Sequence, residues 1–342
     1  MFTLANGWKS ILIRVLVFFI VSVSLVGCAP RGAFNFDDEK LTQEQAVVQP
    51  IFVATNRRKS EVTTQGLFRQ EFGDIRNAEV RFARMDISIP ASHQLGRIEW
   101  PGYAKPDPNK HFVVQNQQAY DGSAAFMAAV NARENHEDVF VFVHGFNVNT
   151  AEAIYRLAQV AHDYQARIPV IAFSWPSAGS AQGYAYDRDS VMFSRDGLEE
   201  LLTLLSKRKR RVYLIAHSMG SHLVMETLRQ MSISGNKRGL EQLAAVALIS
   251  PDIDEDVFKQ QARRIDPLPK PFTLMVSQKD RALDLAAFLT GKPNRLGSIP
   301  SAESLDGLPI SVIDLSAIEG GDGAGHATAF TSPEAIEQLR NW

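Results

Sequence analysis

Beyond Pro50, short runs of β-branched and aromatic residues alternate with segments whose apolar positions recur at helical spacing. Strand followed by helix, repeated along the chain, predicts a mostly parallel sheet covered by helices. Strands are expected near Ile51–Thr55, Val80–Pro90, Arg97–Trp100 and Phe112–Gln115, and an Ala-rich helix from Asp121 to Glu134. Val139–His144 (VFVFVH) is apolar without alternation, as suits a strand buried on both faces. Thr150 is placed to cap a helix over Ala151–Ala166. Further strands are expected at Val170–Trp175, Val212–Ala216, Leu243–Ser250, Phe272–Ser277 and Ile310–Leu315. Helices should cover Asp187–Lys207, about Met219–Met231, and Pro333–Trp342 behind an N-cap at Ser332.

One of these units carries chemistry. The strand VYLIA (212–216) runs through His217 into Ser218 and then directly into a helix. A nucleophile delivered on such a turn needs small residues two before and two after it, because strand end and helix start approach closely. Ala216 and Gly220 supply them, Ala standing where Gly is usual. Ser218 is therefore the expected nucleophile. The donors for a developing oxyanion are expected at the Met219 backbone N–H and, from the loop His144-Gly145-Phe146-Asn147, at the Phe146 N–H.

The base should follow the Ser in chain order, which points to His326 on the glycine-rich, flexible loop GGDGAGH (320–326) rather than to His144, read as packing beneath its loop. For the acid, Asp280 follows one strand in SQKDRAL, while Asp252 and Asp254 follow the preceding strand in SPDID. Asp280 is favoured, Asp252 or Asp254 remain the alternatives, and a helix-capping role for Asp280 competes with the catalytic one.

With these residues in view, the chain resembles a bacterial α/β-hydrolase family of unknown function, related to serine esterases and lipases. The likeness rests on ATNRR (54–58), VHGFN (143–147), FSWPSAG (173–179), AHSMGS (216–221), SPDID (250–254) and GHATAF (325–330). It implies an α/β-hydrolase fold and a Ser218–Asp280–His326 constellation, but no particular substrate. Pro251–Pro271 is too short for a large cap domain, so a fairly open site is expected.

The N-terminus reads as an address. Lys9 and Arg14 precede a 12-residue apolar run, Val15–Val26, that ends in Gly27-Cys28. A positive n-region, a short apolar region and a small residue at the cleavage point describe a secretory signal, and the run is shorter than a membrane span. Leu25-Val26-Gly27-Cys28 resembles a bacterial lipobox, which implies cleavage before Cys28 and its acylation. The expected organisation is a signal over residues 1–27, a lipidated Cys28 with a flexible tether over 28–50, and a hydrolase domain over 51–342. Ala29 rather than Asp after the Cys suggests the outer membrane, facing the periplasm.

Composition prunes the alternatives. Cys28 is the only cysteine, so intrachain disulfides and thiolate metal clusters are excluded. With 36 Lys+Arg against 38 Asp+Glu, nothing suggests a nucleic-acid partner. The basic run Lys207–Arg211 is read as closing a helix at the sheet edge opposite Ser218. The 8 His residues show no metal-ligand spacing, and no cofactor is implied. The expected activity is hydrolysis of a carboxylic ester, from a small molecule or a lipid, through an acyl-enzyme. A thioester or amide is not distinguished from an ester by sequence, and a non-catalytic envelope scaffold is the alternative.

Overall fold

The computed structural model describes residues 31–36, 46–59, 72–207, 210–291 and 295–340. Among these residues, nine strands form one sheet in the order β3-β2-β1-β5-β4-β6-β7-β8-β9. These are β1 (Val47–Lys59), β2 (Phe72–Ile89), β3 (Val113–Tyr120), β4 (Asp138–Val143), β5 (Val170–Ser174), β6 (Arg211–His217), β7 (Leu243–Ile249), β8 (Phe272–Val276) and β9 (Ser311–Asp314). The β1–β2 and β2–β3 pairs are antiparallel and every other pair is parallel, from β1 across to β9. This is the α/β-hydrolase architecture, a mostly parallel sheet extended by an antiparallel edge.

Alternation along the strands divides the core. On β6, Val212, Leu214 and Ala216 face one layer, while Ile215 faces the other. The first layer is covered by α1 (Gly122–Asn131), α3 (Tyr184–Ser206), α4 (Met219–Ile233), the short α5 (Lys237–Glu241) and α6 (Glu255–Arg264). The second is covered by α2 (Thr150–Asp163), the one-turn α8 (Thr328–Thr331) and α9 (Pro333–Leu339). The remaining helix, α7 (Arg281–Thr290), follows β8. Only α6 stands between β7 and β8, so no cap domain interrupts the sheet there.

The structure departs from the sequence expectations in instructive places. Arg97–Trp100 is not a strand. Its amides turn inward on local carbonyls, Arg97 N–H to Gln94 and Trp100 N–H to Ile98, both at 3.0 Å, and just upstream Gln94 N–H donates to Glu99 Oε1 at 3.0 Å and Gly96 N–H to Asp163 Oδ2 at 2.7 Å. Trp100 meanwhile stacks on Tyr155 at 4.9 Å. The cap of α2 is Asn149, not Thr150, because Asn149 and Glu152 form a reciprocal capping box. The Thr150 hydroxyl turns away and donates to the Phe72 carbonyl at 2.6 Å.

Residues 31–36, expected within a flexible tether, lie against the body: Asn35 N–H donates to Tyr155 Oη at 3.0 Å and Phe36 bridges Val114. The signal segment and Cys28 fall outside the described residues. Of the basic run, Arg208 and Lys209 also fall outside them. Arg211 opens β6 in a bidentate bond to Asp138, both contacts at 2.6 Å. No helix among the described residues is long and apolar enough to cross a membrane.

Candidate active site

Ser218 stands between β6 and α4 with φ 51° and ψ −125°, a conformation that costs a non-glycine residue roughly 1–3 kcal/mol. The surroundings hold it there. Its N–H donates to the Ile249 carbonyl at 2.9 Å, and its carbonyl accepts from Ser221 at 3.0 Å and Asp252 at 3.2 Å. The small neighbours have a steric cause. A β-carbon on Gly220 would lie 2.3 Å from the His144 carbonyl oxygen, so helix α4 could not start this close to β4 with any side chain at that position. Among the described residues the Ser218 hydroxyl has no hydrogen-bond partner, and no bond joins it to His326.

His326 and Asp280 are brought together. The His326 Nδ1–H donates to Asp280 Oδ2 at 2.7 Å, and the carboxylate is fully buried. The other Asp280 oxygen accepts the N–H groups of Ala282 and Leu283, both at 3.0 Å, and so caps α7. One side chain thus both binds the His326 ring and caps α7. With Nδ1 engaged, His326 Nε2 is left without a partner among the described residues. The His326 ring lies against that of His217, centroids 4.6 Å apart, one residue before Ser218. His217 Nε2–H also donates to the His326 carbonyl at 3.1 Å.

The glycine-rich loop is tied rather than loose. Asp322 accepts the N–H groups of Gly325 at 3.0 Å and Ala327 at 3.1 Å, while Arg281 N–H donates to the Ala324 carbonyl at 2.9 Å. Gly325 has φ 73°, and a β-carbon there would stand 2.8 Å from the Lys279 carbonyl oxygen. Glycine lets this loop lie directly on the turn before Asp280, which is what delivers the imidazole to the carboxylate.

Asp252 and Asp254 do not bind His326. Asp252 accepts the Tyr184 hydroxyl at 2.8 Å and faces Arg295 Nε at 3.4 Å, whereas Asp254 caps α6. Tyr184 also packs its ring on Phe146 at 5.2 Å, so it belongs to the wall of the site. Trp175 is a buried packing residue whose Nε1–H donates to the His144 carbonyl at 2.8 Å. Tyr186 donates to the Asp74 carbonyl and lies under the Arg76 guanidinium.

The Phe146 and Met219 backbone N–H groups have no partner among the described residues. The Phe146 loop is held from below by residues that sequence reading missed. Asp187, fully buried in α3, accepts Asn147 N–H at 3.1 Å, Ala178 N–H at 2.6 Å and the Ser177 hydroxyl at 2.6 Å. Desolvation raises its pKa, opposed by those three hydrogen bonds. Arg57, also buried, donates to the carbonyls of Val148 at 2.8 Å and Ser177 at 3.1 Å and to the Ser174 hydroxyl at 3.0 Å. Burial lowers its pKa to about 10.

His144 is stacked on Trp175 beneath the loop, and burial together with Arg57 lowers its pKa to about 3, so it stays neutral. The signals for these supports were present but unspecific: an arginine at the polar end of a strand (VATNRR) and an acid in the first turn of a helix.

Away from the site, His93, His162 and Asp163 offer ligand atoms within 4.8 Å of one another. Both His93 ring nitrogens are already engaged, with Glu99 and Asp163 at 2.8 Å each, which describes an ion-paired tie between the 90–100 segment and α2.

Comparison with known proteins finds a family model, "Alpha/beta hydrolase of unknown function (DUF900)", matching residues 122–341. An uncharacterized protein, alr1448, of Nostoc sp. (strain PCC 7120) is 39% identical over 66 residues, spanning 19% of this chain and only 17% of that protein. Among solved structures, a hydrolase from Thermoplasma acidophilum described as CIB-like is similar at 14% identity and a TM-score of 0.37, over 77% of this chain and 94% of that one. An esterase of Pyrobaculum calidifontis is similar at 11% identity and a TM-score of 0.36, over 83% of each chain.

Proposed function

Because this chain belongs to the DUF900 family of α/β hydrolases, we propose that it is a serine hydrolase acting on carboxylic esters, anchored to the outer membrane through an acylated Cys28 and facing the periplasm. The observation that carries the reading is the 2.7 Å bond from His326 Nδ1 to buried Asp280, which leaves Nε2 without a partner among the described residues on a ring 4.6 Å from that of His217, one residue before the strained turn at Ser218.

In the first half-reaction Ser218 Oγ attacks the ester carbonyl carbon and His326 Nε2 takes the hydroxyl proton. The carbonyl oxygen becomes an oxyanion held by the Phe146 and Met219 N–H groups. Asp280 keeps the proton on Nδ1 and stabilises the imidazolium. The carbon–oxygen bond to the alcohol then breaks, the alcohol leaves with the proton from Nε2, and an acyl-serine remains. Water repeats the sequence: it loses a proton to Nε2, attacks the acyl carbon, and Ser218 regains its hydrogen as the acid departs.

Labelling with a fluorophosphonate tests this. Wild type should be modified at Ser218, and Ser218→Ala, folded as judged by circular dichroism, should not. Equal labelling of both would overturn the assignment.

A further inference from the structure

The segment nearest the proposed anchor is fastened to the active-site loop. Arg31, three residues after Cys28, donates from Nη1 to Asn147 Oδ1 at 2.7 Å and from Nη2 to the Asn147 carbonyl at 2.9 Å and to the Glu152 carboxylate. Asn147 directly follows Phe146, whose N–H is a proposed oxyanion donor. Gly32 is inserted beneath Trp100: a β-carbon on it would stand 2.6 Å from that ring and 2.7 Å from Glu152 Cγ. Its N–H donates to Glu152 Oε1 at 3.2 Å and its carbonyl accepts Asn149 Nδ2 at 2.8 Å. Three residues of chain reach at most about 11 Å even when fully extended. An acylated Cys28 therefore lies within this distance of the Arg31 backbone, which leaves little length for the domain to turn freely above the bilayer.

The opposite flank of the site presents apolar surface. Helix α7 begins at the Asp280 cap and exposes Leu285 (55%) and Phe288 (81%), which at a spacing of three residues share one face. In the sheet order Ser218 follows β6, next to the β4 end that leads to Asn147 and two strands from the β8 end that leads to α7. At about 4.8 Å per strand, the β4 and β8 ends are roughly 14 Å apart. Arg31 and the start of α7 thus lie at the same sheet edge, on either side of the nucleophile.

We propose that this edge is the membrane-facing surface, held by the Cys28 acyl chains on the Arg31 flank and by Leu285 and Phe288 entering the lipid interface on the other, and that the ester hydrolysed is an acyl ester of a lipid in that same leaflet. The proposal rests on the reading of the chain as a Cys28-anchored serine hydrolase. Its chemistry is that already written: the lipid acyl group passes to Ser218 Oγ, the deacylated lipid leaves with the proton from His326, and water releases the fatty acid.

The test uses the acylated full chain in vesicles of phosphatidylethanolamine and phosphatidylglycerol. Cys28 is the only cysteine and acylation consumes its thiol, so Phe288→Cys and, separately, Arg211→Cys each provide a single thiol for an environment-sensitive fluorophore. Arg211, 66% exposed at the start of β6, reports on the far edge of the sheet. The label at 288 should shift to the blue and be quenched by a lipid-borne quencher, while the label at 211 should do neither. The double substitution Leu285→Ser with Phe288→Ser should lower the ratio of vesicle-ester to soluble butyrate-ester turnover about tenfold.

A water-exposed label at 288 in an acylated, fluorophosphonate-reactive enzyme, or an unchanged turnover ratio, overturns the proposal while leaving the hydrolase reading standing. A Cys28 found unmodified by mass spectrometry removes the anchor and the proposal with it. Loss of fluorophosphonate reactivity as well would instead mark the failure of the hydrolase reading.

Discussion

Gly145 stands against Ser218 with no room for a side chain between them: a β-carbon on Gly145 would lie 2.9 Å from Ser218 Cβ and 3.1 Å from His217 Nδ1. The loop that carries the Phe146 amide is therefore in contact with the elbow that carries the hydroxyl. Gly145→Ala should push the loop outward while leaving the core intact. The expected result is a fall in kcat of about 10²-fold to 10³-fold, as for loss of one oxyanion donor, with a cooperative unfolding transition retained. Wild-type kcat in steady-state assays of this variant would remove the Phe146 amide from the mechanism.

Asp280 divides its two oxygens between His326 and the first turn of α7, which allows the two roles to be separated. Asp280→Asn keeps a capping oxygen but loses the charge that orients the imidazole. Its kcat should drop about 10⁴-fold with thermal stability nearly unchanged. Asp280→Ala should lose about 1 kcal/mol more, measured by urea denaturation. Asp252→Asn, which touches Tyr184 and Arg295 rather than His326, should keep kcat near that of wild type.

Asp187 accepts two backbone N–H groups and one hydroxyl in a fully buried position. Asp187→Ala leaves all three donors without partners and should cost about 2–4 kcal/mol of stability. Because one of those donors is Asn147, ester turnover by the folded fraction should fall too. A variant destabilised but fully active per folded molecule would show that the Phe146 loop holds its shape without this support.

His93 lies between Glu99 and Asp163, and against the lowering effect of burial the hydrogen bonds and charges of those two acids raise its pKa to about 9 from 6.5. The folded state binds this proton more tightly than the unfolded state, so the stabilisation is complete below pH 6.5 and is lost as pH rises through about 9. Allowing for screening, it should amount to roughly 1–2 kcal/mol. His93→Gln should therefore narrow its deficit against wild type between those two pH values. Parallel stability curves across that range would exclude a charged His93.

The β4, β6, β7 and β8 strands and the Ser218 turn with Gly220 were legible in the chain because each rests on local composition, a short apolar run or a small residue at a fixed offset. The stretch around Arg97–Trp100 misled for the opposite reason. Its apolar residues pack on α2, but the Arg97 and Trp100 amides close on the nearby carbonyls of Gln94 and Ile98 while Gln94 and Gly96 just before them bond to Glu99 and Asp163, and nothing in a short run of residues announces these partners. The choice among Asp252, Asp254 and Asp280 was likewise beyond local pattern, since all three follow parallel strands in similar turns.

The sequence alone determined where a hydroxyl could be held at a sheet edge, for the crowding of strand against helix writes itself into Ala216 and Gly220. Only the tertiary structure decided which carboxylate meets His326, that Arg57 and Asp187 support the loop over Ser218, and that Arg31 returns across more than a hundred residues to bind Asn147. Those are contacts between distant segments. They depend on how whole elements pack, and the identity of a long-range partner leaves no periodic trace in either stretch of chain.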